Sequence, residues 1–349
     1  MLDLARELQN FGYDVKFYSY VPNFRLKKFG FKGSTSSFLF FMMIPFLALE
    51  KFLPSRKTLE LKVKILDFFT SIVQRKADLT IAMSGLFVKS LIVAQKKGSK
   101  IIVERGSKHI LAQKKILEGV PSLSGTKPVP DFDVDRELKS YQLADYVAVA
   151  SEHVKNSFKD YKFDEEKIFV NPYGVDLKDF YAQERAEKKY DVIFVGNWSY
   201  QKGCDLLTEA CEDSQISVLH VGAIQDLQFP EKTNFTHIDS VDQKQLVNYY
   251  NQARIFCLPS RQEGLALVMA QAVSCGLPIV ASNQTGAEDI KRLIDDEKSI
   301  YVFCEENPQA LKKNILLALS ETQTQYDNLN DLSWKAYGER YSNFIKTLL

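Results

Sequence analysis

The segment Leu258-Pro259-Ser260-Arg261-Gln262-Glu263-Gly264-Leu265-Ala266-Leu267-Val268-Met269-Ala270-Gln271-Ala272-Val273-Ser274-Cys275-Gly276-Leu277-Pro278-Ile279-Val280-Ala281 decides the fold. A buried strand, Ile255 to Leu258, ends at Pro259, a polar turn follows, and a helix starts near Leu265 before the next strand, Pro278 to Ala281. In that setting the backbone N–H groups of Gly264 to Leu267 point into the crevice at the carboxyl end of a parallel sheet, where an open α/β sheet takes its ligand. The positive end of a helix there attracts a diphosphate. Ser260, Gly264, Leu265, Ala266 and Leu267 are therefore the expected binding positions. Glu263 does not suit a bare phosphate, since its carboxylate would repel the anion; it suits sugar hydroxyls, which donate hydrogen bonds to it.

Outward from this segment, short β-branched runs alternate with helical patterns, the sign of parallel α/β architecture. Strands are expected at Asp14 to Tyr18, Leu79 to Met83, Lys100 to Glu104, Tyr146 to Ala150 and Ile168 to Val170 in the first half. In the second half they fall at Val192 to Val195, Ser217 to Val221, Thr236 to Ile238, Ile255 to Leu258, Pro278 to Ala281 and Ile300 to Phe303. The expected fold is thus two Rossmann-like, doubly wound domains, residues 1–173 and 174–332, with 333–349 as a helix returning across the interface. Asn171-Pro172-Tyr173-Gly174-Val175-Asp176 reads as the hinge, proline stiffening it and glycine supplying positive-φ freedom.

Two further stretches carry chemistry. Phe194-Val195-Gly196-Asn197-Trp198-Ser199-Tyr200-Gln201-Lys202-Gly203 is a strand, a glycine turn and a helix start with Lys202 at its mouth, giving a point charge and amide donors for phosphate. Such a junction is common in structural roles and gains weight only beside Glu263. Val103-Glu104-Arg105-Gly106-Ser107-Lys108-His109 ends a first-half strand, where Arg105 is a candidate phosphate or acceptor contact and a lone histidine such as His109 is more often a surface or satisfied residue. In Ser151-Glu152-His153-Val154-Lys155-Asn156-Ser157-Phe158, Ser151 reads as an N-cap, and no chemistry is assigned.

These motifs resemble the family 4 retaining glycosyltransferases (group 1), whose signature is a Glu-x7-Glu element in a strand-turn-helix setting. The resemblance implies the two-domain GT-B fold and a nucleotide-diphosphate sugar as donor. Glu263 matches the first glutamate and would contact the donor sugar. The second falls on Gln271, whose amide oxygen would accept from the ribose without charge assistance. Lys202 would hold the leaving diphosphate, with Gln201 where members usually carry arginine, and His109 would be a catalytic residue facing the sugar across the cleft. Gly174-Val175-Asp176, the loop Asn283 to Asp289 and the segment from Ser333 onward also match; specificity is high between Asp191 and Asp289. Members open with a strand and a glycine-rich loop, whereas Met1 sits almost at the helix that follows, so the first domain reads as lacking its first strand. Either the recorded start lies late in the reading frame or this form is impaired. The alternatives are a nucleotide-sugar-binding protein without turnover and a GT-B nucleotide-sugar epimerase. The acceptor expected is a saccharide or lipid-linked saccharide, as in surface-polysaccharide assembly, and neither cofactor nor metal is expected.

Bulk properties fit this reading. In 349 residues, 45% are hydrophobic and 26% charged, ordinary for globular protein. Cys204, Cys211, Cys257, Cys275 and Cys304 show no metal-ligand spacing and read as reduced, mostly buried thiols. The net charge of +1 hides a split: residues 1–175 hold 28 Lys and Arg against 19 Asp and Glu, and the remainder 17 against 25. Either the basic half meets an anionic partner or the two domains attract one another. Phe38 to Leu49 is an apolar run broken by Pro45 and preceded by Arg25, Lys27, Lys28 and Lys32, too short to span a bilayer. It reads as a buried or partly buried helix, or as a surface element dipping into an anionic membrane interface. No leader or membrane span is evident, which places the body of the protein in the cytoplasm, with peripheral attachment to a membrane as a further option. No nucleic-acid module pattern is present.

Overall fold

The computed structural model describes the chain apart from 34–36, 121–127, 305 and 321–325. In the first half, strands β1 (Leu79–Met83), β2 (Lys100–Arg105), β3 (Tyr146–Val149) and β4 (Ile168–Val170) form a parallel sheet in the order β1-β2-β3-β4. In the second, β5 (Tyr190–Val195), β6 (Val218–Val221), β7 (Phe235–Ile238), β8 (Ala253–Leu258), β9 (Ile279–Ser282) and β10 (Ile300–Phe303) form a parallel sheet in the order β10-β9-β8-β5-β6-β7. Helices cover both faces, so β6 and β9 are buried along their whole length, and their sequences Val-Leu-His-Val and Ile-Val-Ala-Ser lack the alternation of a half-exposed strand. The second sheet runs outward from β5 through β6 to β7 and then crosses back to lay β8 on the other side of β5. The strand order therefore reverses between β5 and β8, which opens a crevice at their carboxyl ends.

One expected strand does not form. Asp14 to Tyr18 carries only an isolated bridging residue, Phe17. The side chains of Val15 and Phe17 pack against Ala5, Leu26 and Phe31.

The halves are joined by Asn171 to Asp176 and by the helix Trp334–Leu348, whose N-cap Ser333 accepts from Ala336 N at 3.1 Å. Tyr337, Tyr341 and Ile345 of this helix pack with Leu4 and Leu8 of the first helix, Leu2–Asn10, and with Ile102 and Ala148 of the first sheet. Phe344 stacks on Phe169 at 4.1 Å between ring centroids. Burying each such side chain contributes roughly 1.5–3 kcal/mol. Arg340 ties the helix to the junction, donating to Asn171 Oδ1 at 2.7 Å and to Pro172 O at 2.8 Å. Gly174 is not left-handed; it is glycine because a Cβ would come within 2.5 Å of the Trp334 backbone. Its role is close approach rather than freedom to turn.

Phe38 to Leu49 lies in the helix Ser37–Phe52, with Leu39 and Met43 buried and several neighbours exposed. Cys204, Cys211, Cys257 and Cys275 are buried free thiols, and Cys304 is exposed.

Candidate active site

The crevice between β5 and β8 gathers the residues that the sequence separates by some sixty positions. Val195 ends β5, Gly196 follows, and the chain turns through Lys202 into the helix Cys204–Cys211. Leu258 ends β8 and leads into Ser260 and Glu263. The Lys202 ammonium pairs with Glu263 Oε1, to which Ser260 Oγ also donates at 3.1 Å. The loops are braced against each other: Arg261 N donates to Gln201 O at 2.9 Å, and Gln201 Nε2 to Gln262 Oε1 at 3.1 Å. The Arg261 guanidinium forks onto the Asp205 carboxylate at 2.7 and 2.8 Å, a bidentate geometry that fixes orientation. Gln201 is thus a brace. Gly196 presents its carbonyl to His220 Nε2, 2.9 Å away.

The helix that follows Glu263 is Leu267–Ser274, with Ala266 as an extended N-cap. Its first amides have no carbonyl within the helix to meet. Ala266 N is taken by Thr285 O at 3.2 Å, so the expectation that it faces a ligand is corrected. Among the described residues, no acceptor meets the amides of Gly264, Leu265, Leu267 or Val268. Gln271 is buried, and its Oε1 accepts from Tyr250 OH at 3.0 Å. One lone pair of that oxygen is therefore engaged inside the protein, while the amide N–H2 donors make no such bond.

The first half meets this loop directly. A Cβ on Gly264 would lie 2.0 Å from Gly106 O, so glycine is required by the contact itself. Ser151 Oγ donates to Gly264 O at 2.9 Å, and His153 Nε2 to Glu263 O at 3.1 Å. Gln262 donates to Ser107 Oγ, and Lys108 reaches Gln284 Oε1. Burial pushes His153 down to about 4 and lowers Lys108. An opening beside Ser260 is lined by Ile116 from the first half and by Asn283, Gln284 and Cys304 from the second.

Two expected residues are placed otherwise. His109 is the N-cap of the helix Ile110–Glu118, its Nδ1 accepting from Leu111 N, and its ring stacks on Tyr161 at 4.6 Å with Phe158 and Tyr141 on other sides. Burial pushes it down to about 4, a neutral ring in an aromatic cage rather than a group facing the cleft. Arg105 pairs with Glu137 at 2.6 Å and donates to Lys108 O at 3.0 Å and to Gln113. Three of its five N–H donors are thus engaged within the first half, which places it against Glu137 and the Lys108 carbonyl. Sequence reasoning missed Ser107, Lys108, Ser151 and His153 as partners of the Glu263 loop. The hint they offered was that all four follow the carboxyl end of a first-half strand.

Residues 177–332 match the family model described as "Glycosyl transferases group 1". An uncharacterized glycosyltransferase of Methanocaldococcus jannaschii is 24% identical over 213 residues, covering 58% of this chain and 55% of that protein. The chain spans about half the length of the curated relatives it matches. Among solved structures, Anabaena Alr3699/HepE in complex with UDP and glucose aligns with a TM-score of 0.63 at 15% identity, covering 99% of this chain and 94% of that one. Sucrose-phosphate synthase from Thermosynechococcus elongatus aligns with a TM-score of 0.63 at 18% identity, covering 84% and 79%. The fold is the two-lobed GT-B arrangement.

Proposed function

We propose that the protein is a family 4 retaining glycosyltransferase that moves a hexose from a nucleotide-diphosphate sugar to a hydroxyl of a saccharide acceptor. The observation that carries this is the pairing of Lys202 with Glu263 beside the unmatched amides of Leu265, Leu267 and Val268. A sugar diphosphate separates that pair usefully: the phosphate takes the ammonium and the amides, and the sugar hydroxyls take the carboxylate. Gly196 and Ser260 line the same crevice, and Gln271 would meet the ribose through the remaining lone pair of its amide oxygen. As the bond from the anomeric carbon to the phosphate oxygen breaks, Lys202 and the amides stabilise the charge left on the diphosphate. The acceptor oxygen attacks from the same face and its proton passes to that phosphate, so the reaction asks no general base and no metal of the chain.

The group 1 match over residues 177–332 supports the donor half of this reading, and the HepE complex with UDP and glucose supports a nucleotide and a hexose as the ligands for this fold. The opening lined by Ile116 and Gln284 offers the acceptor a path between the lobes. We take the acceptor to be a lipid-linked or surface-polysaccharide saccharide and the location to be cytoplasmic, at the inner face of a membrane. A second reading, nucleotide-sugar binding without turnover, is favoured by one observation: His109 and Arg105 are engaged inside the first lobe. Release of nucleoside diphosphate from a panel of nucleotide sugars tests both. The proposal expects release with at least one donor, falling about 100- to 1,000-fold in Glu263→Ala. Binding of a donor with no release, in the presence of saccharide acceptors, would favour the second reading.

A further inference from the structure

The helices Ser37–Phe52 and Arg56–Val73 pack as a hairpin on the first lobe, and their outer surface is unlike the rest of the molecule. On the first of them Phe38, Phe41, Ile44, Pro45, Ala48 and Phe52 are exposed, spaced by three and four residues along one face, and Lys51 is the one charged residue among the described exposed positions of the helix. Leu39 and Met43, on the opposite face, are buried, so the packing requirement of the helix is already met from within. Phe38 meets Phe69 edge-on at 5.8 Å and Phe69 meets Phe68, which continues the aromatic row onto the second helix. Phe41 is 65% and Phe52 77% exposed, large apolar groups that a soluble face has no reason to gather.

The charge around this row is one-sided. Residues 20–76 hold 11 Lys and Arg against 3 Asp and Glu, which accounts for nearly all of the basic excess of the first half. Of the three acids, Glu50 pairs with Lys62, Glu60 with Arg56, and Asp67 is buried against Arg136. Exposed Arg25, Lys27, Lys28, Lys51 and Lys57 are left as a cationic rim. A second copy of the chain would bring the same cations face to face across a two-fold axis, which disfavours it as the occupant. An apolar ridge within a cationic rim complements a surface that is negative outside and apolar beneath, which is an anionic bilayer.

The hairpin is also aimed. Asp67 accepts from Lys89 N and Ser90 N, each at 2.8 Å, at the start of the helix that follows the carboxyl end of β1. Arg136 joins Asp67 to the carbonyls of Gly85 and Leu86 on the same rim. The rim is the one that opens onto the cleft through Gly106 and Ser107. We infer that the hairpin 37–73 is a membrane-docking element, its first helix lying in the headgroup region of an anionic lipid surface and holding the cleft against it. This deepens the membrane-facing part of the proposed function and leaves the donor site untouched.

Co-sedimentation of the full chain, without nucleotide, with vesicles of phosphatidylcholine alone or mixed with phosphatidylglycerol tests it. Binding is expected to the mixed vesicles, weakened by salt, and reduced about tenfold or more in the triple variant Phe41→Ser, Ile44→Ser, Phe52→Ser. Phe41→Trp should shift its emission to the blue when mixed vesicles are added. Far-ultraviolet circular dichroism and the thermal shift given by nucleoside diphosphates control for folding and read the donor site separately. Wild type that stays in the supernatant, or a triple variant that sediments like wild type, overturns the inference. A wild-type dimer that the triple variant converts to monomer assigns the face to a second copy and overturns it as well.

Discussion

Glu263 and Lys202 neutralise each other in the cleft, and Ser260 holds the carboxylate from below. Ion pairs this covered are costly to leave half-made, so a ligand that engages both ends at once gains over one that engages either alone. Gln271 makes a sharper statement at the same scale. Its oxygen faces Tyr250 OH at 3.0 Å, so only one lone pair is left for a ribose. Gln271→Glu would let Tyr250 donate to one oxygen while the other takes the ribose hydroxyls with charge assistance, and nucleoside-diphosphate affinity should rise roughly three- to tenfold by calorimetry. Weaker binding would place the ribose elsewhere. Glu263 and Lys202 were legible because each combines an unusual residue with a strand-turn-helix context. His109 was not, because a histidine after a strand serves equally as an active-site group or as an N-cap, and only the cage of Tyr141, Phe158 and Tyr161 decides.

Helix Leu267–Ser274 is the element on which the account leans. Ala266 is extended at φ −77 and ψ 106, a conformation compatible with a following proline, and Leu267 is the first helical position, where proline is well tolerated. Leu267→Pro therefore removes one amide without breaking the helix. The melting temperature should stay within about 2 °C, while nucleoside-diphosphate affinity falls about tenfold, the worth of a hydrogen bond to a charged group. Unchanged affinity would remove that amide from the site. Elements of this kind were readable because Ile255 to Leu258 of β8 and Ile279 to Ala281 of β9 are apolar runs bounded by turn residues. Asp14 to Tyr18 shows the limit: Val15 and Phe17 alternate as in a strand, yet alternation records only which side chains are apolar, and the extent of a ladder is a tertiary fact; here it is a single bridge at Phe17.

At the scale of the molecule, the lobes touch through backbone and polar side chains: Gly264 on Gly106, Ser151 on Gly264, His153 on Glu263. None of these contacts has a local signature, since each joins residues more than a hundred positions apart. Buried ionisable groups also shape the whole. Burial pushes His109, His153 and His220 from 6.5 down to about 4. The unfolded chain takes up those protons first, so the stability they contribute is present above pH 6.5 and lost as pH falls toward 4. Glu104, enclosed by Tyr173, Tyr337 and Tyr341, is pushed by burial from 4.5 up to about 7 and acts in the opposite sense, adding stability as pH falls through that window. Three imidazoles outweigh one carboxyl, so the melting temperature should fall on acidification below pH 6.5. Glu104→Gln should raise it above neutrality and steepen the acid fall; a wild-type melting temperature that climbs on acidification would contradict this.

The central claim is that a diphosphate rests on Lys202 and the amides after Glu263, with its sugar on that carboxylate. A thermal-shift screen of nucleoside diphosphates and their hexose conjugates tests it most directly, because a ligand that binds only the folded state raises the melting temperature. The account predicts stabilisation of the wild type by at least one diphosphate and its conjugate, loss of both shifts in Lys202→Ala, and loss of only the conjugate's advantage in Glu263→Ala. No shift with any member of the panel, or a shift that survives Lys202→Ala undiminished, would contradict it.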